Sequence, residues 1–181
     1  MTRLYTIGHS NRPLDAFIAL LQGVGVEVLV DVRQLPQSQR QPQFGEEYLR
    51  DALDQAGIQY HWAGRPLGGH RPTRPDSPHR ALSDSGLRGY ADYMEGDPFK
   101  KGIVQLLTLA NRSPTSIMCA EREPLQCHRS LIADYLTLAG AEVIHLIDAE
   151  QSLSHQLRSE ARRESQSLIY DRFATAELPL T

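Results

Sequence analysis

The chain of 181 residues is poor in cysteine and in long apolar segments, and each shortage excludes a class of protein. Its only cysteines are Cys119 and Cys127, which are too few for the disulfide-dense scaffold of a small secreted domain. No run of about 18 apolar residues is present, so the sequence predicts no membrane-spanning helix. The N-terminal residues also lack the apolar core of a signal peptide. We therefore expect a cytoplasmic protein with no membrane partner.

Lysine is also scarce, and the overall charge is close to balance. The chain has 19 Lys plus Arg against 22 Asp plus Glu, a formal net charge of −3, which excludes a generally basic nucleic-acid coat. All the basic residues except Lys100 and Lys101 are arginine, whose planar fork suits carboxylates and phosphates. Codon bias explains this preference equally well. A local anion site remains compatible with the composition.

The familiar phosphate-binding and zinc-binding patterns are missing. The chain has no Walker A loop and no Gly-x-Gly-x-x-Gly, and Leu125 stands where a Cys-x5-Arg loop after Cys119 needs arginine. Cys119, Cys127 and His128 could supply three metal ligands, but their spacing differs from the Cys-x2-4-Cys of common zinc sites. The sequence therefore predicts no metal site and leaves the cofactor unassigned.

Apolar residues alternate between strand-like and helix-like patterns along most of the chain. Val28, Leu29 and Val30 form a continuous run typical of a strand covered on both faces, and Leu14, Phe17 and neighbouring apolar residues have helical spacing. Strands are predicted at 4–8, 26–32, 58–62, 115–119 and 141–147, with helices at 13–22, 46–56, 88–94, 98–111 and 127–139. This order predicts an α/β three-layer sandwich with a mostly parallel sheet of about five strands.

The pattern also divides the chain. Residues 1–147 are expected to form a single α/β domain, with an irregular, proline-rich and glycine-rich basic loop at 63–87. Long irregular loops in compact domains are usually functional or disordered. Residues 148–181 are expected to be a polar helical tail.

Ligand sites of parallel sheets lie beyond the carboxyl ends of the strands, and this sequence places ionisable residues there. Each of these residues also has a purely structural explanation. A histidine can bond to backbone, an arginine can be solvated, and a cysteine at the end of an apolar strand can be a core residue. Their joint arrival at one edge favours a site. The predicted catalytic residues are Glu121, Cys119, Asp31, His9 and His128, and the predicted anion-binding or substrate-binding residues are Arg33, Ser10, Arg88, Tyr90, Arg129 and Arg65.

The segment 119–129 carries most of this expectation. A thiol at a strand end, before a helix start, sits where unpaired amides favour an anion and lower a cysteine pKa. Cys119 would be either a nucleophile or part of the wall. Glu121 or Asp31 would serve as general base, with His9 or His128 as acid.

The loop 63–87 and the residue after it form a local basic patch. Its arginines are Arg65, Arg71, Arg74, Arg80 and Arg88, with only Asp76 and Asp84 to oppose them. Such a patch fits a phosphate-bearing partner, a nucleic acid included, or is simply a solvated loop. Tyr90 and Tyr93, three residues apart, could stack on a base or pack internally.

Four motifs together resemble one family. They are the segments 6–12 (Thr-Ile-Gly-His-Ser-Asn-Arg), 30–33 (Val-Asp-Val-Arg), 88–94 (Arg-Gly-Tyr-Ala-Asp-Tyr-Met) and 119–129 (Cys-Ala-Glu…Cys-His-Arg). In this order they resemble domain-of-unknown-function family 488, over roughly residues 2–147. The resemblance implies a bacterial or archaeal cytoplasmic α/β domain whose motif residues gather around a cleft, and it names no reaction. The residues it marks are Gly8, His9, Ser10, Asp31, Arg33, Gly89, Tyr90, Cys119, Glu121, Cys127, His128 and Arg129.

Three functions follow as hypotheses. The first is an enzyme, a hydrolase or transferase, acting on a phosphate-bearing small molecule, a nucleotide or a nucleic-acid end. The second is a non-catalytic module that binds nucleic acid or a nucleotide through the basic loop. The third is a thiol redox or metal sensor that uses Cys119 and Cys127. The sequence does not set the oligomeric state.

Overall fold

A computed structural model describes residues 1–173 as a central sheet between two layers of helices. The strands of the sheet are β1 (Arg3–Gly8), β2 (Val28–Asp31), β3 (Gln59–Trp62), β4 (Thr115–Cys119), β5 (Glu142–Leu146) and β6 (Ser152–Ser154). The helices are α1 (Leu14–Gly23), α2 (Glu46–Gln55), the single turn α3 (Gly64–Leu67), α4 (Ser85–Tyr93), α5 (Asp97–Arg112) and α6 (Arg129–Leu138). Short 3₁₀ turns lie at Pro42–Phe44 and Pro124–Gln126.

The sheet has six strands in the order β3-β2-β4-β1-β5-β6. The first five are parallel, and β6 pairs antiparallel with β5 at the edge. The predicted α/β three-layer sandwich with a mostly parallel sheet is therefore confirmed. The apolar run at Val28–Val30 is buried as a strand covered on both faces should be.

Alternation of side chains along the strands supplies both layers of the core. On one face, Ile7 and Met118 pack with apolar side chains of α1 and α2. On the other face, Leu4 and Val30 pack with side chains of α4, α5 and α6. Each such side chain contributes about 1.5–3 kcal/mol when it is fully removed from water.

The segment after β5 differs from the predicted helical tail. Its described part, residues 148–173, contains β6 and a hairpin of β7 (Ala161–Glu164) and β8 (Ser167–Tyr170). The burial of Leu168 and Tyr170 alternates with exposed or half-buried neighbours, and this period of two belongs to a strand. Ser165 has φ 56° at the turn between the strands. Residues 174–181 of the predicted tail lie outside the described residues.

The hairpin fastens the basic loop predicted at 63–87. The Ala81 amide donates to the Tyr170 carbonyl at 2.9 Å, and the Tyr170 amide donates to Nδ1 of His79 at 3.2 Å. The loop also contains α3 and the first turn of α4. The hydrogen bonds to Tyr170 therefore hold this loop against the rest of the domain. No helix within residues 1–173 combines the length and apolar character needed to cross a bilayer.

Candidate functional site

The carboxyl ends of β1, β2 and β4 meet at one pocket. The backbone joins them there, because the His9 amide donates to the Cys119 carbonyl at 2.9 Å and the Val32 amide donates to the Met118 carbonyl at 2.9 Å. The cavity has a volume of about 370 Å³, within the range of small-molecule sites. Its walls are His9, Arg33, Gln34, Leu35, Gln37, Ser38, Gly69, His70, Asp84, Gly86, Leu87, Cys119, Ala120, Glu121, Gln126, Cys127 and His128.

Asp31 clamps the guanidinium of Arg33, which lines the pocket. Its fully buried carboxylate accepts hydrogen bonds from Arg33 Nε at 2.9 Å and Nη2 at 2.7 Å, and from the Tyr60 hydroxyl at 2.5 Å. Burial, followed by the charge of Asp31, raises the pKa of Tyr60 well above its ordinary value, so this hydroxyl stays a donor. The clamp uses Nε and Nη2 of Arg33 and leaves Nη1 directed toward His9.

His9 completes this arrangement as a neutral ring. Its Nδ1 lies 2.9 Å from the Ser10 carbonyl oxygen, which can only accept, so the hydrogen is on Nδ1. Nε2 is then an acceptor and faces Arg33 Nη1 at 3.4 Å. Burial is the main cause that lowers the pKa of His9, and the ring stacks on Phe44 with 4.6 Å between centroids. His9 therefore positions the guanidinium.

Two thiols and one imidazole lie close together in the wall of the pocket. Cys119 ends β4 and Cys127 precedes α6, and their sulfurs lie 3.9 Å and 3.7 Å from His128 Nδ1. His128 Nε2 lies 3.1 Å from the Val32 carbonyl oxygen, so Nε2 carries the hydrogen in the neutral ring. Its Nδ1 lone pair is therefore presented to both sulfurs. A Cβ at Gly69 would lie 3.1 Å from Nδ1, which shows how closely the basic loop covers this ring.

A buried positive charge lies next to the thiols. The Cys127 thiol is the main cause that holds the pKa of Cys119 well below its usual range, and the hydrogen bond with His128 and the charge of Arg129 act in the same direction. Arg129 is only 1% exposed, and its Nη2 donates to the Arg122 carbonyl at 3.1 Å. Within the described residues its Nε and Nη1 have no hydrogen-bond partner. This arrangement favours negative charge on sulfur or on a ligand.

The remaining predicted site residues divide between the pocket and its supports. Glu121 is exposed and lines the pocket, whereas Asp31 and Arg129 lie outside its lining and contact the residues that form it. Ser10 is half-buried with φ 46°, and its amide donates to the Ala120 carbonyl at 2.8 Å. The structure therefore brings together His9, Arg33, Cys119, Glu121 and His128.

Three more predicted binding residues lie outside the pocket lining, in addition to Ser10 and Arg129. Tyr90 is fully buried, and its hydroxyl donates to the Leu67 carbonyl at 2.8 Å. The Arg88 guanidinium donates to the Leu82 carbonyl at 2.8 Å. Arg65 is exposed on α3. Tyr90 still touches the site indirectly, since its ring centroid lies 4.8 Å from that of His128.

Much of the predicted basic patch is used internally. Arg71 donates to the Gly68 carbonyl at 3.0 Å and lies 3.8 Å over the Tyr93 ring. Arg74 pairs with Glu95 at 2.8 Å. With Arg88 bonded to backbone as well, these three arginines stabilise the loop and keep fewer free N–H groups for a partner.

Sequence reasoning missed two groups of polar residues. Tyr60 bonds Asp31 from the neighbouring strand, a contact that needs the strand order. Asp134 is fully buried and lies 2.7 Å from His155 Nε2, and His155 Nδ1 lies 2.8 Å from His145 Nε2. A histidine within the apolar strand at 141–147 was the available signal for this chain of hydrogen bonds.

Comparison with known proteins agrees with the motif resemblance. The model of the family described as domain of unknown function DUF488 matches residues 13–136, which include Asp31, Arg33, Cys119 and Cys127. No curated protein and no solved structure matches the chain. The matched segment runs from just before α1 into α6 and covers more than half of the chain. The chain therefore belongs to the DUF488 family.

Proposed function

We propose that this protein is an enzyme, a hydrolase or transferase, that acts on a phosphate-bearing small molecule such as a nucleotide. One observation carries the proposal: a clamped guanidinium, a free carboxylate and the Cys119–Cys127–His128 cluster all line the same cavity. A catalytic base and an anion-binding group must reach one shared substrate position, and a common cavity supports this requirement.

Arg33 is the group proposed to hold the anion. Its guanidinium is fixed on two sides by Asp31 and His9, so little reorganisation is needed when charge develops on a substrate oxygen. Preorganised charge of this kind is usually the largest contribution to catalysis. The buried Arg129 adds positive potential near the thiols.

Glu121 is the proposed general base. It is exposed at the pocket, and its side chain makes no hydrogen bond to the described residues, so the carboxylate is free to take a proton from an attacking water or hydroxyl. Asp31 is less suited to this role because Arg33 and Tyr60 occupy its oxygens. The cysteine and histidine cluster then contacts the reacting group.

The cavity favours a small substrate over a nucleic-acid chain. A volume of about 370 Å³ accommodates a nucleotide-sized molecule, and the arginines of the basic loop that would follow a phosphate backbone are largely bonded within the protein. A nucleic-acid module predicts binding that weakens steeply with salt. Tight, strongly salt-dependent binding of single-stranded DNA without turnover of nucleotides would favour that second hypothesis.

The test is turnover of nucleoside mono-, di- and triphosphates followed by phosphorus NMR. We expect at least one to be converted, and Glu121→Gln to slow the conversion by about 10²–10⁴-fold. Glu123→Gln is the matched control, because Glu123 is exposed on the same loop but outside the lining of this pocket, and it should react at the wild-type rate. Full activity of Glu121→Gln, or no conversion of any member of the panel, would refute the proposal.

A further inference from the structure

The Cys119–Cys127–His128 cluster has a property that its spacing in the sequence conceals. The Cys119 and Cys127 sulfurs and a ring nitrogen of His128 all lie within 4.8 Å of one another. The loop 120–126 brings the end of β4 and the start of α6 together, so the ligand set does not depend on a short Cys-x2-4-Cys turn. We propose that these three side chains bind a divalent ion of the zinc type.

The distances between the donor atoms fit a tetrahedral ion. Bonds of about 2.3 Å to sulfur and 2.0–2.1 Å to nitrogen at tetrahedral angles place sulfur and nitrogen about 3.6 Å apart. The sulfurs of Cys119 and Cys127 lie 3.9 Å and 3.7 Å from His128 Nδ1. The two sulfur-to-nitrogen distances therefore need to shorten by only a few tenths of an ångström, and the two sulfurs lie within 4.8 Å of each other.

The surroundings of the three ligands are those of a metal site. His128 donates Nε2–H to the Val32 carbonyl at 3.1 Å, which fixes the ring with Nδ1 free to bind. A metal-binding histidine usually has a partner of this kind on its other nitrogen. The Arg129 amide lies 3.4 Å from the Cys127 sulfur and donates to it, which supports a thiolate there. Soft thiolates with one imidazole suit zinc better than magnesium or calcium.

The fourth position of the ion faces the cavity. All three ligands line it, so a water molecule or a substrate oxygen can complete the tetrahedron, as in catalytic zinc sites. A divalent ion with two thiolates is neutral as a unit. The buried guanidinium of Arg129, with Nε and Nη1 unpartnered among the described residues, then favours an anionic fourth ligand such as a phosphate oxygen. The catalytic role of the ion rests on the proposed function, whereas ion binding does not.

The experiment measures Zn²⁺ and Co²⁺ binding by the full chain. Elemental analysis after dialysis against excess Zn²⁺ should give one ion per chain, and Co²⁺ should give the absorption of a tetrahedral site with thiolate charge transfer. Cys119→Ser and His128→Asn should each weaken Zn²⁺ binding by at least about 100-fold. His61→Gln is the matched control, because His61 lies on β3 outside the cluster, and it should bind Zn²⁺ as the wild type does.

The wild-type protein alone keeps the test decisive if a variant fails to fold. Less than one ion in ten chains, or a Co²⁺ spectrum without sulfur charge transfer, overturns the metal site. Zn²⁺ retained by both folded variants overturns it too. A bound ion without turnover of any nucleotide leaves the metal site standing and removes the proposed function. Turnover that survives complete removal of the ion leaves the enzyme standing and removes the catalytic role of the metal.

Discussion

The buried clamp between Asp31 and Arg33 makes Asp31→Asn the sharpest test of how the pocket is built. Asparagine keeps the size of the side chain but removes the charge and replaces one acceptor oxygen with a donor. Oδ2 of Asp31 accepts hydrogen bonds from Arg33 Nη2 at 2.7 Å and from the Tyr60 hydroxyl at 2.5 Å. Oδ1 of Asp31 accepts one from Arg33 Nε at 2.9 Å. The substitution therefore leaves a guanidinium, only 6% exposed, without its counter-charge. Breaking such a pair costs about 3–5 kcal/mol of unfolding free energy.

Urea denaturation followed by circular dichroism measures this loss. The control is Glu142→Gln, which removes the ion pair that Glu142 makes with Arg3 at 2.6 Å on the surface. The side chains of that pair are 54% and 32% exposed, so water and salt screen their attraction and we expect a much smaller change in stability. Equal losses in the two variants, or a loss below about 1 kcal/mol in Asp31→Asn, would refute the assignment of Asp31 as the clamp.

Three further predictions concern packing and charge. In Gly8→Ala the new Cβ overlaps the Glu121 carbonyl oxygen, so the protein should lose about 1–3 kcal/mol of unfolding free energy. In Gly23→Ala the new Cβ meets nothing within 4 Å, so the protein should gain about 0.5–1 kcal/mol. Thermal melts compare the two variants, and equal shifts in melting temperature would contradict the reasoning. Burial lowers the pKa of His145 to about 3, so folding favours the neutral ring. The free energy of unfolding should therefore fall as pH decreases below about 6.5 toward 3, by up to about 1.4 kcal/mol per pH unit, and urea titrations of His145→Gln should show a shallower fall. Phe99→Ala empties a fully buried ring site and should cost about 3–5 kcal/mol in the same assay; a loss under 1 kcal/mol would show that the core collapses around it.

The fold was predictable where local patterns and tertiary packing agree. The run Val28–Val30 is typical of a strand between two layers of helices, and the structure has a fully buried strand there. Beyond β5 the local pattern is weaker. Arg162 and Glu164 are polar enough for a solvated helix, and only the packing of Leu168 and Tyr170 on the domain makes the segment a hairpin. The side chains that these residues pack against come from distant parts of the chain, and only the folded structure brings them together.

The candidate site was predictable in part for a geometric reason. Parallel strands end at one edge, so His9, Arg33 and Cys119 were expected at the same edge once the strands were identified. That they also lie close together follows from the strand order, in which β2, β4 and β1 are neighbours. The direction in which a helical side chain points does not follow from this argument. Tyr90 turns inward because α4 packs that face on the core, and Arg88 folds back to the Leu82 carbonyl. Both contacts depend on which face of α4 packs against the domain, and helical spacing alone does not specify that face.

Because of the hairpin of β7 and β8, the folded domain extends beyond the segment that the family comparison matches. The match ends at residue 136, yet Tyr170 bonds to Ala81 and His79 of the loop whose later residues form one wall of the pocket. A truncated protein cut at the end of the match would lose the edge strands and the brace for that wall. Expression of the shorter piece would therefore be a poor route to the folded domain.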